Sequence, residues 1–182
     1  MIRSSLVLTV IGPDRPGLVQ ALADVISEHD ANWLESRMAR LAGKFAGVLR
    51  IDAPHEQCQP LTAALGKLRD AGLTVLVESS DGPTGPSRAN LSHPLVLNLI
   101  GHDRPGIVRD VSHALAQRGV NVVDFHTQVV SAAMTGEPLF KATAELLAPD
   151  DTQVDELRDA LDQLAADLNL DLTLAADPDR DR

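Results

Sequence analysis

Apolar residues fall along this chain in two alternating rhythms, and the whole series occurs twice. Leu6 to Ile11 is a continuous apolar run of strand length closed by Gly12-Pro13, the pattern of a buried strand. From Pro16 to His29, Leu18, Leu22, Val25 and Ile26 recur at three- and four-residue spacing, which predicts a helix with one apolar stripe. Asp14 or Arg15 stands where a cap for that helix is expected, and Pro16 suits its first turn. Asn32 to Leu41 reads as a second strand of poor alternation: Leu34 and Met38 share a face with Ser36 and Arg40, Trp33, Ala39 and Leu41 with Glu35 and Arg37. Ala42-Gly43-Lys44 turns the chain into a third strand, Phe45 to Ile51, which ends by Pro54. Leu61, Ala64, Leu65 and Leu68 mark a second helix with Gly72 expected at its C-cap, and Leu73 to Val77 is the fourth strand.

The second series keeps this order. Leu95 to Ile100 is strand, and Pro105 to Arg118 is helix with Ile107, Val111, Ala114 and Leu115 inward. Asn121 to Val130 is strand, with Val123, Phe125, Thr127 and Val129 on one face and Asp124, His126 and Gln128 on the other. Leu139 to Leu146 is strand, Val154 to Leu168 helix, and Leu170 to Leu174 strand. The connection between the second and third strands is six residues longer here, because Leu41 aligns at an offset of 89 and Phe45 at 95. The fold class is therefore α+β: two ferredoxin-like βαββαβ domains, each a four-stranded antiparallel sheet with two helices on one face. Their expected limits are 1–78 and 93–176, joined by a Gly-, Pro- and Ser-rich linker over 79–92 and followed by a charged, disordered tail over 177–182.

The two series are most alike at one place. Residues 6–19, LVLTVIGPDRPGLV, and 95–108, LVLNLIGHDRPGIV, are identical at ten of fourteen positions. Each is a strand that hands over to a helix through G-x-D-R-P-G. A helix start exposes backbone N–H groups with no intrahelical partner, and these favour a carboxylate or phosphate. An adjoining Asp14 or Asp103 can receive an ammonium, so the corner suits a small zwitterion such as an amino acid. The competing reading is a purely structural turn, with Asp as cap and Gly for its backbone freedom.

Composition narrows the function. A formal charge of -10, a pI near 4.9 and scattered Lys and Arg argue against direct nucleic-acid binding. The single Cys58 excludes an intramolecular disulfide and a Cys-based zinc cluster. His29, His55, His93, His102, His113 and His126 form no close pair with ligand spacing, so no metal site and no cofactor are expected. No signal peptide or membrane span is legible, which reads as cytoplasmic. No Ser-His-Asp or Cys-His arrangement is apparent, and no catalytic residue is assigned. Units of about eighty residues bury only about 60% of their unfolded surface, so pairing, including a homodimer, is expected.

With both corners in view, the chain resembles tandem ACT domains, small regulatory modules that bind amino acids. The run Asn32-Trp33-Leu34-Glu35-Ser36-Arg37-Met38-Ala39-Arg40-Leu41-Ala42-Gly43-Lys44-Phe45 is similar to the N-I-x-D-S-R-x-A-x-L-G-x-x-F run of the glycine cleavage system transcriptional repressor group, and the resemblance covers residues 5 to about 176. It implies ligand contacts from Gly12, Asp14, Arg15, Pro16 and Gly17 with Asn32, and from Gly101, Asp103, Arg104, Pro105 and Gly106 with Asn121. It also implies a small amino-acid ligand, glycine first, and a protein partner such as a transcription regulator. The chain departs from the group at Trp33, where a small aliphatic residue is usual, at His102 in place of Pro13, and in lacking a second S-R-x-A run. The first copy is thus the better-equipped site. Two alternatives are a detached regulatory module of an amino-acid or folate-linked enzyme, and an acylphosphatase-like enzyme using Arg15 with Asn32. The second lacks a glycine-rich phosphate loop.

Overall fold

The computed structural model describes residues 2–80, 91–133, 135–149 and 154–176, and the chain divides into two compact units, 1–86 and 87–182. In unit 1, β1 (Arg3–Pro13), α1 (Leu18–Glu28), β2 (Asn32–Leu41), β3 (Lys44–Pro54), α2 (Cys58–Lys67) and β4 (Thr74–Ser79) build an antiparallel sheet in the order β2-β3-β1-β4. In unit 2, β5 (Leu91–His102), α3 (Ile107–Ala116), β6 (Asn121–Ser131), β7 (Pro138–Pro149), α4 (Val154–Leu168) and β8 (Leu170–Ala176) build the same sheet, β6-β7-β5-β8. Both units have the expected βαββαβ order. The ends of the stretch read as linker belong to β4 and β5, and residues 81–90 and the tail 177–182 lie outside the described residues. No helix among the described residues is long and apolar enough to cross a membrane.

Each core lies between one sheet face and the apolar stripes of two helices. Leu6, Leu8 and Val10 of β1 and Leu49, Ile51 and Ala53 of β3 meet Leu18, Leu22 and Ile26 of α1 and Leu61 and Leu65 of α2. Leu95, Leu97 and Leu99, Ala142, Ala144 and Leu146, Ile107, Val111 and Leu115, and Leu157 and Leu161 do the same in unit 2. Every second residue of the central strands therefore points to the helices.

The poor alternation of β2 has a cause. A one-residue bulge between Trp33 and Glu35 resets the pleat, so Trp33 and Met38, five positions apart, both pack on the core. A bulge at the equivalent place, between Val122 and Asp124, interrupts β6. Beyond it, Phe125 turns toward the helices while His126 and Gln128 lie on the opposite face. In unit 1 the β2–β3 hairpin turns through Ala42 (φ 48°) and Gly43 (φ 74°), two positive-φ residues as a tight type I′ turn requires. In unit 2 the longer connection is closed by hydrogen bonds from the Ala132 N–H to the Glu137 carbonyl (2.8 Å) and the Gly136 N–H to the Ala132 carbonyl (2.9 Å).

Two helix-end assignments need correction. The first residue before α1 is Gly17, in the left-handed region (φ 89°), and no side chain caps the helix, so neither Asp14 nor Arg15 is its cap. The glycine alone reaches this backbone, and it turns β1 directly into the helix. At the end of α2 the cap is Leu68; Gly72 (φ 79°) lies further on, in the turn that delivers Leu73 to the core.

Candidate functional site

The two corners share one backbone. Gly12 and Gly101 stand where the first strand of each unit passes the turn before the last strand. A Cβ on Gly12 would meet the Gly72 carbonyl oxygen at 2.7 Å, and one on Gly101 would collide with the Leu170 side chain and stand 3.2 Å from the Asn169 carbonyl oxygen. Asp14 donates its N–H to the Gly43 carbonyl (2.9 Å) and Asp103 to the Pro138 carbonyl (3.0 Å), which pins each loop to the neighbouring hairpin. Gly17 and Gly106 (φ 98°) then open α1 and α3 in the same left-handed conformation, again without a side-chain cap. The repeated glycines are thus explained by close approach and positive φ. The charged residues between them are not, because they face solvent.

Those charges are arranged differently in the two units. At the first corner Asp14 forms an ion pair with Arg40 of β2 at 3.2 Å. The first turn of α1 carries no acidic side chain, so its free N–H groups open beside Arg15 without a competing carboxylate. Arg15 extends along Gly72 in the turn before β4; a Cβ there would sit 3.6 Å from its guanidinium. At the second corner the residue aligned with Arg40 is Val129, and no ion pair or side-chain hydrogen bond of Asp103 occurs among the described residues. His102 Nδ1 lies 3.8 Å from Glu137 of the longer hairpin instead. Asp110 occupies the first turn of α3 and accepts a hydrogen bond from Arg109 at 2.8 Å. That guanidinium holds the Asp110 carboxyl below the usual range, with smaller help from Arg104 and His113. The first corner thus sets a partnered carboxylate beside a helix start without acidic groups. The second sets Asp103 beside a helix start that carries Asp110.

Asn32 and Asn121 do not join the corner of their own unit. Asn32 pairs with Asp52, which pairs with Ser5, seven residues along β1 from Gly12; at about 3.3 Å per residue the two lie about 23 Å apart. Asn121 pairs with Leu147 and that with Pro94, again seven residues from Gly101. Each asparagine therefore sits at the far end of its own sheet, a distance that spacing along the sequence does not reveal. The same separation removes the arginine–asparagine pair that an acylphosphatase-like site would need within one unit. Among the described residues no group of His, Cys, Asp and Glu is placed to hold a metal ion.

A sheet of this order, duplicated, with a G-x-D-R-P-G corner opening each first helix, defines a class, and the comparisons agree with it. The chain belongs to the ACT domain family, whose sequence model matches residues 4–78 and 93–174. It is a tandem ACT-domain protein. Over almost its whole length it is similar to a protein of unknown function from Galdieria sulphuraria, with 26% identity and a TM-score of 0.83 over 97% of this chain and 99% of that one. A protein described as a glycine cleavage system transcriptional repressor has the same fold at a TM-score of 0.67 over 96% and 98% of the two chains, with 17% identity. UPF0237 protein MK1213 of Methanopyrus kandleri is 34% identical over 83 residues, 41% of this chain and 87% of its own length.

Proposed function

We propose that this chain is a non-catalytic regulatory protein that senses glycine or another small amino acid and controls gene expression through a protein partner. The observation that carries the ligand reading is the first corner, where an uncapped helix start without an acidic first turn opens beside Arg15 and Asp14. The carboxylate of the amino acid lies at the N–H groups of α1, and its ammonium at Asp14. Arg40 does not block this arrangement. Its side chain is 74% exposed, and exposed ion pairs contribute only about 0.2–1 kcal/mol. At the second corner Asp110 adds a negative charge to the first turn of α3, which disfavours an incoming carboxylate, so the principal site is assigned to unit 1. The net charge of -10 supports action through another protein rather than on nucleic acid.

Calorimetry with glycine and the other common amino acids tests the reading. Asp14→Ala is expected to weaken binding by about 10- to 100-fold, since a charge-assisted hydrogen bond contributes about 1.5–3 kcal/mol. Asp103→Ala is expected to leave that affinity within about twofold. Equal binding by the wild type and Asp14→Ala, or no binding of any amino acid, would sink the proposal. The partner is sought by co-purification with the full chain, in the presence and absence of the amino acid that binds.

A further inference from the structure

The outer face of the second sheet, turned away from α3 and α4, holds a cleft of about 290 Å³. That volume lies at the lower end of small-molecule sites, about 300–1,000 Å³. Its floor is Ile100 of β5. Lys141 of β7 and Asp171 of β8 flank Ile100 from the two neighbouring strands, which puts their backbones two strand spacings, about 9.6 Å, apart. Charges that only solubilise a sheet face gain most when directly opposite on adjoining strands. Here an apolar residue stands between them, and neither enters an ion pair among the described residues. In the next row the Thr143 hydroxyl donates to the Asn98 side-chain carbonyl at 3.0 Å, and Asn98 lines the cleft together with His126, which pairs with Thr143.

The fold does not require this polarity. Unit 1 carries Ala46 where unit 2 has Lys141, Thr74 for Asp171, Val48 for Thr143 and Leu76 for Thr173, on the same face of the same sheet. Val48 and Leu76 are exposed there. One duplicated surface thus carries Ala46, Val48 and Leu76 among Thr9, Thr74 and Arg37 in one copy, and in the other it carries separated opposite charges beside Asn98 and His126.

We propose that this cleft binds a small linear zwitterion with its charges at opposite ends, a dipeptide or an ω-amino acid. The carboxylate meets Lys141, the ammonium meets Asp171, and the chain between them lies over Ile100 with its polar groups on Asn98 and His126. The span between the two charged residues selects such a molecule over an α-amino acid, whose charges are too close together to engage both with Lys141 extended. This site lies on the outer sheet face, next along β5 from Gly101, and does not depend on the function proposed for the first corner.

The test is a titration of the full chain with glycylglycine and with 6-aminohexanoate, followed by amide NMR shifts and calorimetry. Lys141→Ala and Asp171→Thr install the residues that unit 1 already tolerates at these places, so both variants are expected to fold. The expected result is shift changes centred on Asn98, Ile100, Lys141 and Asp171, and at least tenfold weaker binding in each variant, with Asp14→Ala unaffected. Absence of shifts at these residues with both probes overturns the proposal. So does affinity that survives both substitutions, or that is lost with Asp14→Ala, which would move the ligand to the corner.

Discussion

The two corners were copied as backbone and have diverged as chemistry. Gly12 and Gly101, Gly17 and Gly106, and the N–H bonds of Asp14 and Asp103 to their hairpins superpose in role almost group for group. Around that frame the charges have been redistributed: Arg40 engages Asp14 in one unit, while Asp110 and Glu137 fill the surroundings of the other. A motif kept at five of its six positions therefore reports the constraints of the chain path first. Function is read from what stands beside it.

The sharpest test of that division is substitution of the glycines. Gly12→Ala drives a methyl group into a backbone carbonyl at 2.7 Å, whereas Gly101→Ala meets chiefly the end of the Leu170 side chain, which can rotate away. Overpacking costs about 1–3 kcal/mol, and Gly12→Ala is expected near the top of that range with Gly101→Ala nearer the bottom. Denaturant unfolding of the two variants checks the order; equal losses would mean that the turns before β4 and β8 yield alike. A smaller effect is expected from Arg40→Ala. It removes an exposed ion pair and should change stability by no more than about 1 kcal/mol. It also makes Asp14 as unpartnered as Asp103, so an amino acid bound at the first corner should bind at least as tightly as before.

Much of this architecture was legible in the residues. Periodicity located the eight strands and four α-helices of the described residues because each core is one sheet face against two apolar stripes, and that arrangement imposes periods of two and 3.6. The β2 pattern resisted reading because a bulge leaves no local signature beyond broken alternation; Trp33 and Met38 look out of phase until one extra residue is counted. Asp14 looked like a cap because Asp before a helix usually is one, but Gly17 had already bent the chain at a φ that needs no side chain. Asn32 looked like a partner of the corner only through the family resemblance. The register of β2 on β3 carries it to the other end of the sheet. The contrast between the outer faces could not be read until register aligned Lys141 and Asp171 on either side of Ile100.

The finest distinction between the corners is electrostatic and appears only on acidification. Asp110 in the first turn of α3 has its carboxyl held below the usual aspartate range, first by the hydrogen bond from Arg109, while the first turn of α1 has no counterpart. A carboxyl depressed in the folded state stabilises that state above its unfolded pKa, about 3.9, and loses the contribution as pH falls through the lower folded value. Unit 2 should therefore lose a small increment of stability below about pH 4 that Asp110→Asn abolishes. Hydrogen exchange of α3 amides, compared between wild type and Asp110→Asn at pH 3 to 6, is the measurement. Because the Arg109 side chain is largely exposed and salt screens the pair, the difference should shrink as ionic strength rises. A difference in α3 protection that persists unchanged at high salt would instead point to helix propensity, and would remove Asp110 from the electrostatic contrast between the corners.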